Sequence, residues 1–145
     1  MEQGLIMERT LAILKPTAVE RKIIGTIIGI IEDKGLKIVA LKMVWLSKEM
    51  AETLYEEHRE KPFFEKLVKH ITSLPIVLMV VKGENAIGAL RQICGATDSM
   101  KAAPGSIRGK FGLDVTENII HASDGPESAE REIELFFKEE EIYTY

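Results

Sequence analysis

The chain has 145 residues, 46% hydrophobic and 29% charged, with a formal net charge of -4. That length and balance fit one globular domain over residues 1–145 with a core of its own, and exclude a disordered or fibrous chain. The acidic balance argues against general affinity for nucleic acid or acidic membranes, yet leaves room for a local basic pocket of the kind a small polyanion needs.

Residues 1–6 are too few and too uncharged for a signal peptide. Residues 10–14, Thr-Leu-Ala-Ile-Leu, form a short apolar run that fits a buried strand. Ile24, Ile27, Ile28 and Ile31 then fall at helical spacing, with Gly35 as the C-terminal stop. Residues 36–45 suit a long strand, and Ser47 is the expected N-cap of the next helix, which carries Met50, Leu54 and His58. Pro62 is expected to open another short helix.

Residues 73–81 are the pattern of a fully buried strand closed by Gly83, and its apolar run over 74–81 is far too short to span a bilayer. Ala86, Leu90 and Ile93 mark a further helix, with Ala89 beside that face. Cys94 is the single cysteine, so no intramolecular disulfide can form, which suits a reducing cytoplasm. Some twenty residues, 95–114, follow with little periodicity, and loops of that length in a compact domain are usually functional or disordered. Ile119, Ile120 and His121 return as a strand. Pro126 opens the last helix, with Ala129, Ile133 and either Phe136 or Phe137 inward.

The resulting order, β-α-β-α(α)-β-α-β-α, contains two split βαβ units. It predicts an α/β (α+β) ferredoxin-like βαββαβ sandwich, with a four-stranded antiparallel sheet covered by helices. A parallel doubly wound sheet is the topological rival, but the strands are few and no Gly-rich turn follows the first one.

The chemistry concentrates around Asn118-Ile119-Ile120-His121-Ala122-Ser123-Asp124. His121 ends a short apolar strand, with a Gly- and Arg-bearing loop ahead and a helix behind. One reading is a strand-end histidine hydrogen-bonded to backbone. The other is a nucleophile, its tautomer fixed by Ser123, by Asp124 or by Glu132 on the following helix so that the second ring nitrogen is free to attack. Lys15, Arg91 and Arg108 are the candidate cations. Arg91 alone suits a solvated helix surface. Arg108 lies in Pro104-Gly105-Ser106-Ile107-Arg108-Gly109, where glycines allow close backbone approach and a guanidinium can grip phosphate with two donors. Lys15 emerges at a strand end before Pro16. These cations carry meaning only if they converge.

Phe63 and Phe64 follow Pro62. Both can be core residues, or one can stay exposed and stack on a nucleobase without base preference. Tyr55 and His58, three apart, share a helix face and suit interhelical packing. One cysteine and three histidines cannot build a structural zinc site, and neither GxxxxGK[ST] nor GxGxxG is present. Nucleotide phosphates would have to be bound by another route, with Mg²⁺ carried mainly on the phosphates.

Together these segments resemble the nucleoside diphosphate kinase family. The likeness runs from Glu8-Arg9-Thr10 through Lys15-Pro16, Arg59-Glu60-Lys61-Pro62-Phe63-Phe64, Ile71-Thr72-Ser73 and Ala103-Pro104-Gly105-Ser106-Ile107-Arg108 to the His121 segment and Glu132-Ile133. The resemblance implies that His121 becomes phosphorylated. It implies that Lys15, Arg91, Thr97 and Arg108 hold phosphates, that Asn118 contacts the sugar and that Phe63 stacks on the base. Tyr55, Ser123 and Glu132 match supporting positions around the histidine, and residues 95–114 match a loop that shapes the pocket and contributes to subunit contacts.

The implied activity is ping-pong transfer of the γ-phosphate from a nucleoside triphosphate, mainly ATP, to a nucleoside diphosphate. The implied partners are ATP and other nucleoside di- and triphosphates, with no nucleic acid and no membrane, in a cytoplasmic homo-oligomer, hexamer before tetramer. Thr17 stands where many members have Asp, and Ala122 where many have Gly, so local geometry at those points is open. Residues 1–6 resemble a short extension ahead of Met7. Two other readings stand beside the enzyme: a non-catalytic nucleotide-binding module of the same fold, and a nucleic-acid-binding ferredoxin-like domain. The latter would want basic and aromatic residues on exposed strands, which the apolar strands do not supply.

Overall fold

The computed structural model describes residues 7–112 and 119–145. Four strands, β1 (Met7–Leu14), β2 (Lys37–Val44), β3 (Ile76–Glu84) and β4 (Ile120–Ala122), form one sheet in the order β2-β3-β1-β4. Every pairing is antiparallel. This is the ferredoxin-like arrangement expected from the element order, and the parallel rival does not occur.

The position of each strand follows from its sequence. β1 and β3 are central and covered on both faces, so they read as near-continuous apolar runs: Leu11 to Leu14 and Ile76 to Val81 are all buried. β2 lies at an edge and alternates, leaving Leu41 and Met43 exposed. Among the described residues the α-helices are α1 (Pro16–Glu20), α2 (Ile24–Asp33), α3 (Lys48–Leu54), α4 (Phe64–Ile71), α5 (Ala86–Cys94), α6 (Ile107–Phe111) and α7 (Pro126–Phe136).

The sheet separates two cores. Leu11, Ile13 and Leu78 join Leu54 of α3, Leu67 and Ile71 of α4 and Ile133 of α7 on one face. Ala12, Leu14 and Met79 join Ile27 and Ile31 of α2, Leu90 of α5 and Ile107 of α6 on the other. β4 is three residues long and at the edge, so elements of both layers meet beside it. His121 pairs with Ile13 there.

Caps and stops behave largely as their chemistry dictates. The Ser47 hydroxyl accepts a hydrogen bond from the Met50 amide at 3.1 Å and opens α3. Gly35, at φ +96°, follows the end of α2 in the left-handed region that favours glycine. Several expected boundaries move. The third strand begins at Ile76 rather than residue 73, because Pro75 has no amide to donate to the ladder. It runs through Gly83, whose missing side chain makes room for Leu36. The helix expected to carry His58 ends at Leu54 and passes into a 3₁₀ turn, Glu56–His58. The next helix begins at Phe64, two residues after Pro62. The choice between Phe136 and Phe137 dissolves, since both are buried. Two short helices, α1 and α6, were not anticipated, and α6 lies within the segment expected to lack periodicity.

Candidate active site

A cleft of about 300 Å³ opens where β4 meets the surrounding helices. Its walls include Lys15, Tyr55, Phe63, Arg91, Thr97, Arg108, His121 and Glu132, drawn from segments scattered along the chain. The three candidate cations therefore converge. Ser123 lies behind the wall, fully buried, and acts through Glu132. Asn118 falls outside the described residues.

His121 is held from one side. Its Nε2 lies 2.8 Å from Glu132 Oε1, and the Ser123 hydroxyl donates to the same oxygen at 2.7 Å. With Nε2–H donating to a carboxylate, the neutral ring keeps its lone pair on Nδ1. Burial is the largest influence on Glu132 and pushes its carboxyl up. Hydrogen bonding and charge from His121, the Ser123 hydroxyl and Arg131 outweigh it, so the group ends below its ordinary value and stays an acceptor. The Tyr55 ring is buried beside this carboxylate, and burial, then the Glu132 charge, raises its phenol well above the ordinary range, keeping it a neutral donor.

The strand that presents His121 starts from an unusual backbone. Ile119 has φ +81°, a left-handed conformation that a β-branched residue rarely adopts. Its side chain is fully buried and its carbonyl accepts from the Lys15 amide at 2.8 Å, which together hold it there. Such a conformation costs on the order of 1–3 kcal/mol and persists only where the surroundings enforce it. Here it lies two residues from the imidazole and fastens the Lys15 segment to β4.

The guanidinium of Arg108 is buried and, among the described residues, is held by backbone carbonyls. Nη1 donates to Gly95 O at 2.8 Å, while Nη2 and Nε donate to Ile120 O at 2.9 and 3.3 Å. Arg91 Nη1 donates to Ala122 O at 3.3 Å. Neither arginine is ion-paired with a carboxylate among the described residues. Burial pulls Arg108 below its ordinary value; Cys94 opposes this, and the nearby Arg91 charge adds a smaller push in the same direction as burial. Burial likewise pushes the Cys94 thiol up to about 11, with both guanidiniums opposing, so it is an inert packing group rather than a nucleophile. Two neighbouring guanidiniums that are not ion-paired with a carboxylate among the described residues, beside an imidazole, suit an incoming polyanion.

The loop glycines act differently from expectation. A methyl at Gly109 would collide with the Ala103 carbonyl, so this glycine lets the loop pack on itself rather than on a ligand. Ser106 caps α6 by accepting from the Gly109 amide at 3.1 Å, which sets Arg108 in the first turn.

At the other end of the cleft Phe63 is 39% exposed, and its ring lies 5.5 Å from His58, which lies 6.3 Å from Tyr55. Phe64 is instead buried. His58, Glu57, Leu67 and Asp124 also line the cleft. The three-residue spacing of Tyr55 and His58 gave the one available hint of the first. Glu57 sits in a run of charged residues with nothing to single it out. Thr17 reaches His70, with Oγ1 and Nε2 3.4 Å apart, and Ala122 is buried with its carbonyl facing Arg91.

A ferredoxin-like sheet carrying a carboxylate-oriented histidine beside two arginines suits phosphoryl transfer. Comparison with known proteins narrows this class. The nucleoside diphosphate kinase family model matches residues 8–142. A nucleoside diphosphate kinase of Archaeoglobus fulgidus is 59% identical over 139 residues, covering 96% of this chain and 92% of the relative. That of Pyrococcus horikoshii is 58% identical over 141 residues, covering 95% and 90%. Among solved structures, the Halobacterium salinarum enzyme in complex with CDP superposes with a TM-score of 0.93 at 46% identity, covering 97% of this chain and 93% of that one. The Aquifex aeolicus enzyme gives 0.92 at 47% identity, covering 95% and 100%. The chain belongs to the nucleoside diphosphate kinase family.

Proposed function

We propose that the cleft moves a γ-phosphate from a nucleoside triphosphate, ATP foremost, to His121 and from there to a nucleoside diphosphate. The observation that carries this reading is the pairing of Glu132 with Nε2 of His121, which leaves Nδ1 as the nucleophilic nitrogen beside Arg91 and Arg108. The Nδ1 lone pair attacks the γ-phosphorus, the bond from phosphorus to the β-γ bridging oxygen breaks, and the diphosphate leaves with that electron pair. The imidazolium formed is stabilised by the Glu132 carboxylate, which needs no proton transfer to do so. Return of the phosphoryl group to a second diphosphate reverses each step, so one pocket serves both half-reactions.

Lys15, Arg91, Arg108 and Thr97 are the phosphate-holding groups, and the charge that develops on the leaving oxygens falls to the cations. Phe63 provides a face for the base. Asn118 is assigned to the sugar on its match to the family pattern alone. Tyr55 and Ser123 support the histidine, the latter by fixing the Glu132 oxygen that faces the ring.

Mg²⁺ fits this site as a passenger on the nucleotide. No group of three or more potential protein ligands occurs among the described residues, and Glu57 and Asp124 are the wall carboxylates suited to receive its hydration waters. When bound, the ion would neutralise phosphate charge.

The protein is assigned to the cytoplasm, as a single domain with neither nucleic acid nor membrane as a partner. No helix among the described residues is long and apolar enough to cross a membrane. Homo-oligomers, hexamer before tetramer, agree with the exposed Leu41, Met43 and Trp45 along and just beyond edge strand β2, an apolar edge that a monomer would leave open.

The test incubates protein and Mg²⁺ with γ-labelled ATP and no acceptor. The expected result is an acid-labile label that is absent in His121→Ala and discharged by GDP or CDP. ATP binding without any label would instead support a non-catalytic nucleotide-binding module.

A further inference from the structure

We propose that Arg21, which stands outside the cleft, is a positioning residue that tethers the two helices bearing the phosphate-holding cations Lys15 and Arg108; this rests on the phosphotransfer reading of the cleft. The helices concerned are five residues each, Pro16–Glu20 and Ile107–Phe111. Segments so short have no helical stability of their own, so their placement is set by contacts to the rest of the molecule.

Lys15 is the N-cap of α1, and its amide is fastened to Ile119. Arg21 is the C-cap of the same helix. Its Nη1 donates to the carbonyl of Phe111, the last residue of α6, at 2.5 Å across 90 positions of sequence, and its guanidinium lies 5.8 Å from the Phe111 ring centre. Arg21 thus grips α6 through both a carbonyl and a ring face. Lys110 lies over the same ring at 5.4 Å, so the aromatic is enclosed by cations.

The need for a tether follows from charge. Lys15, Arg91 and Arg108 line one cleft, and Arg91 already perturbs Arg108 electrostatically. Like charges gathered before a ligand arrives are held against their own repulsion by the framework. Backbone carbonyls hold the Arg108 guanidinium, while Arg21 holds the far ends of the two helices. With the tether cut, α1 and α6 can separate, and the cations no longer meet the phosphates at one spacing. Misplacement of binding groups by about 1 Å can cost on the order of 100-fold in rate, and an exposed tether should cost about 10-fold.

The experiment compares wild type with Arg21→Ala and Arg21→Lys. It measures kcat and KM for ATP, binding of ADP and of adenosine, and the thermal midpoint. Arg21→Ala is expected to lower kcat/KM about 10-fold and to weaken ADP binding while leaving adenosine binding unchanged, with a midpoint close to wild type. Arg21→Lys, which keeps a donor and a cation over the ring, is expected to recover most of the loss. Unchanged kcat/KM and ADP affinity in Arg21→Ala would overturn the proposal. So would equal losses for ADP and adenosine with a lowered midpoint, the pattern of general loosening. If wild type forms no phosphohistidine, the phosphotransfer reading fails, and the ADP-against-adenosine comparison still decides the tether.

Discussion

The two ends of the cleft are built on opposite principles. At the histidine end, polar groups are buried or half-buried and fixed from behind: Arg108 by three hydrogen bonds to two carbonyls, His121 by Glu132, and Glu132 by Ser123. At the aromatic end, Phe63 is partly exposed and stands in a loose row of mutually tilted rings with His58 and Tyr55. Fixed donors discriminate, because a ligand lacking their partner leaves them unpaired in a dry site. A ring face accepts any flat partner. On the function proposed above, this contrast predicts a cleft exacting about phosphate and permissive about base.

The sharpest way to break this comparison is to remove a fixed cation. Arg108→Ala should lower kcat/KM by about 10²–10³, the effect of deleting a preorganised charge at the reacting group. It should also destabilise the fold, by about 1–3 kcal/mol, because the Ile120 and Gly95 carbonyls lose their donor. Arg108→Lys keeps the charge but cannot serve both carbonyls, so its activity should fall between. Steady-state kinetics beside urea unfolding separates the two effects. Near-normal turnover in Arg108→Ala would mean that the charge is structural only.

Glu132→Gln should cost about 10²-fold in kcat, since the amide keeps the size but stabilises neither the imidazolium nor the required tautomer. Single-turnover labelling of His121 measures this step directly. A variant that labels at the wild-type rate would show that position alone, not the carboxylate charge, matters at Nε2. Phe63→Ala tests the other end and should be milder, raising KM about 5- to 30-fold, the lower part of the range for a base–aromatic stack. The increase should be similar for ATP, GTP, CTP and UTP. A loss confined to one base would mean that edge contacts, rather than the ring face, select the nucleotide.

The sheet and the cleft were legible in the sequence for different reasons. Buried strands announce themselves as apolar runs, so β1 and the central part of β3 emerged from composition alone. His121, Arg108 and Lys15 could be nominated one by one, but their convergence depends on the antiparallel register that sets His121 against Ile13. Periodicity has no purchase on helices as short as α1 and α6, because five residues give barely more than one turn. The carbonyl cage around Arg108 was equally hidden, since backbone acceptors leave no mark in a sequence. Gly109 was legible as a glycine but not as one required by Ala103. The meeting of His121 and Ser123 on a single Glu132 oxygen is a matter of ångströms, and residue spacing supplied only the possibility.

The smallest expected effect concerns stability against acid, where the buried carboxylate at the fixed end of the cleft should differ from exposed carboxylates elsewhere on the surface. Glu132 has an ordinary carboxyl value of 4.5 and lies below it in the folded protein. Burial works against that depression, and the contacts to His121, Ser123 and Arg131 overcome it. Because the unfolded chain holds this proton more tightly, the group stabilises the fold fully above its ordinary value, and the contribution is lost as pH falls through the lower native one. The exposed carboxylates Glu139 and Glu141 are depressed too, but by contacts with Arg9 and with Lys138 and Lys42 at the surface, where solvent and salt weaken the interaction. Urea midpoints from pH 7 down to about 3.5 should therefore fall more steeply in wild type than in Glu132→Gln below about pH 4.5. Added salt should leave most of that difference in place, because a buried contact is poorly screened. Parallel curves for the two proteins would mean that the carboxylate is no better placed beside His121 than in the unfolded chain, and the orienting role given to it would lose its energetic basis.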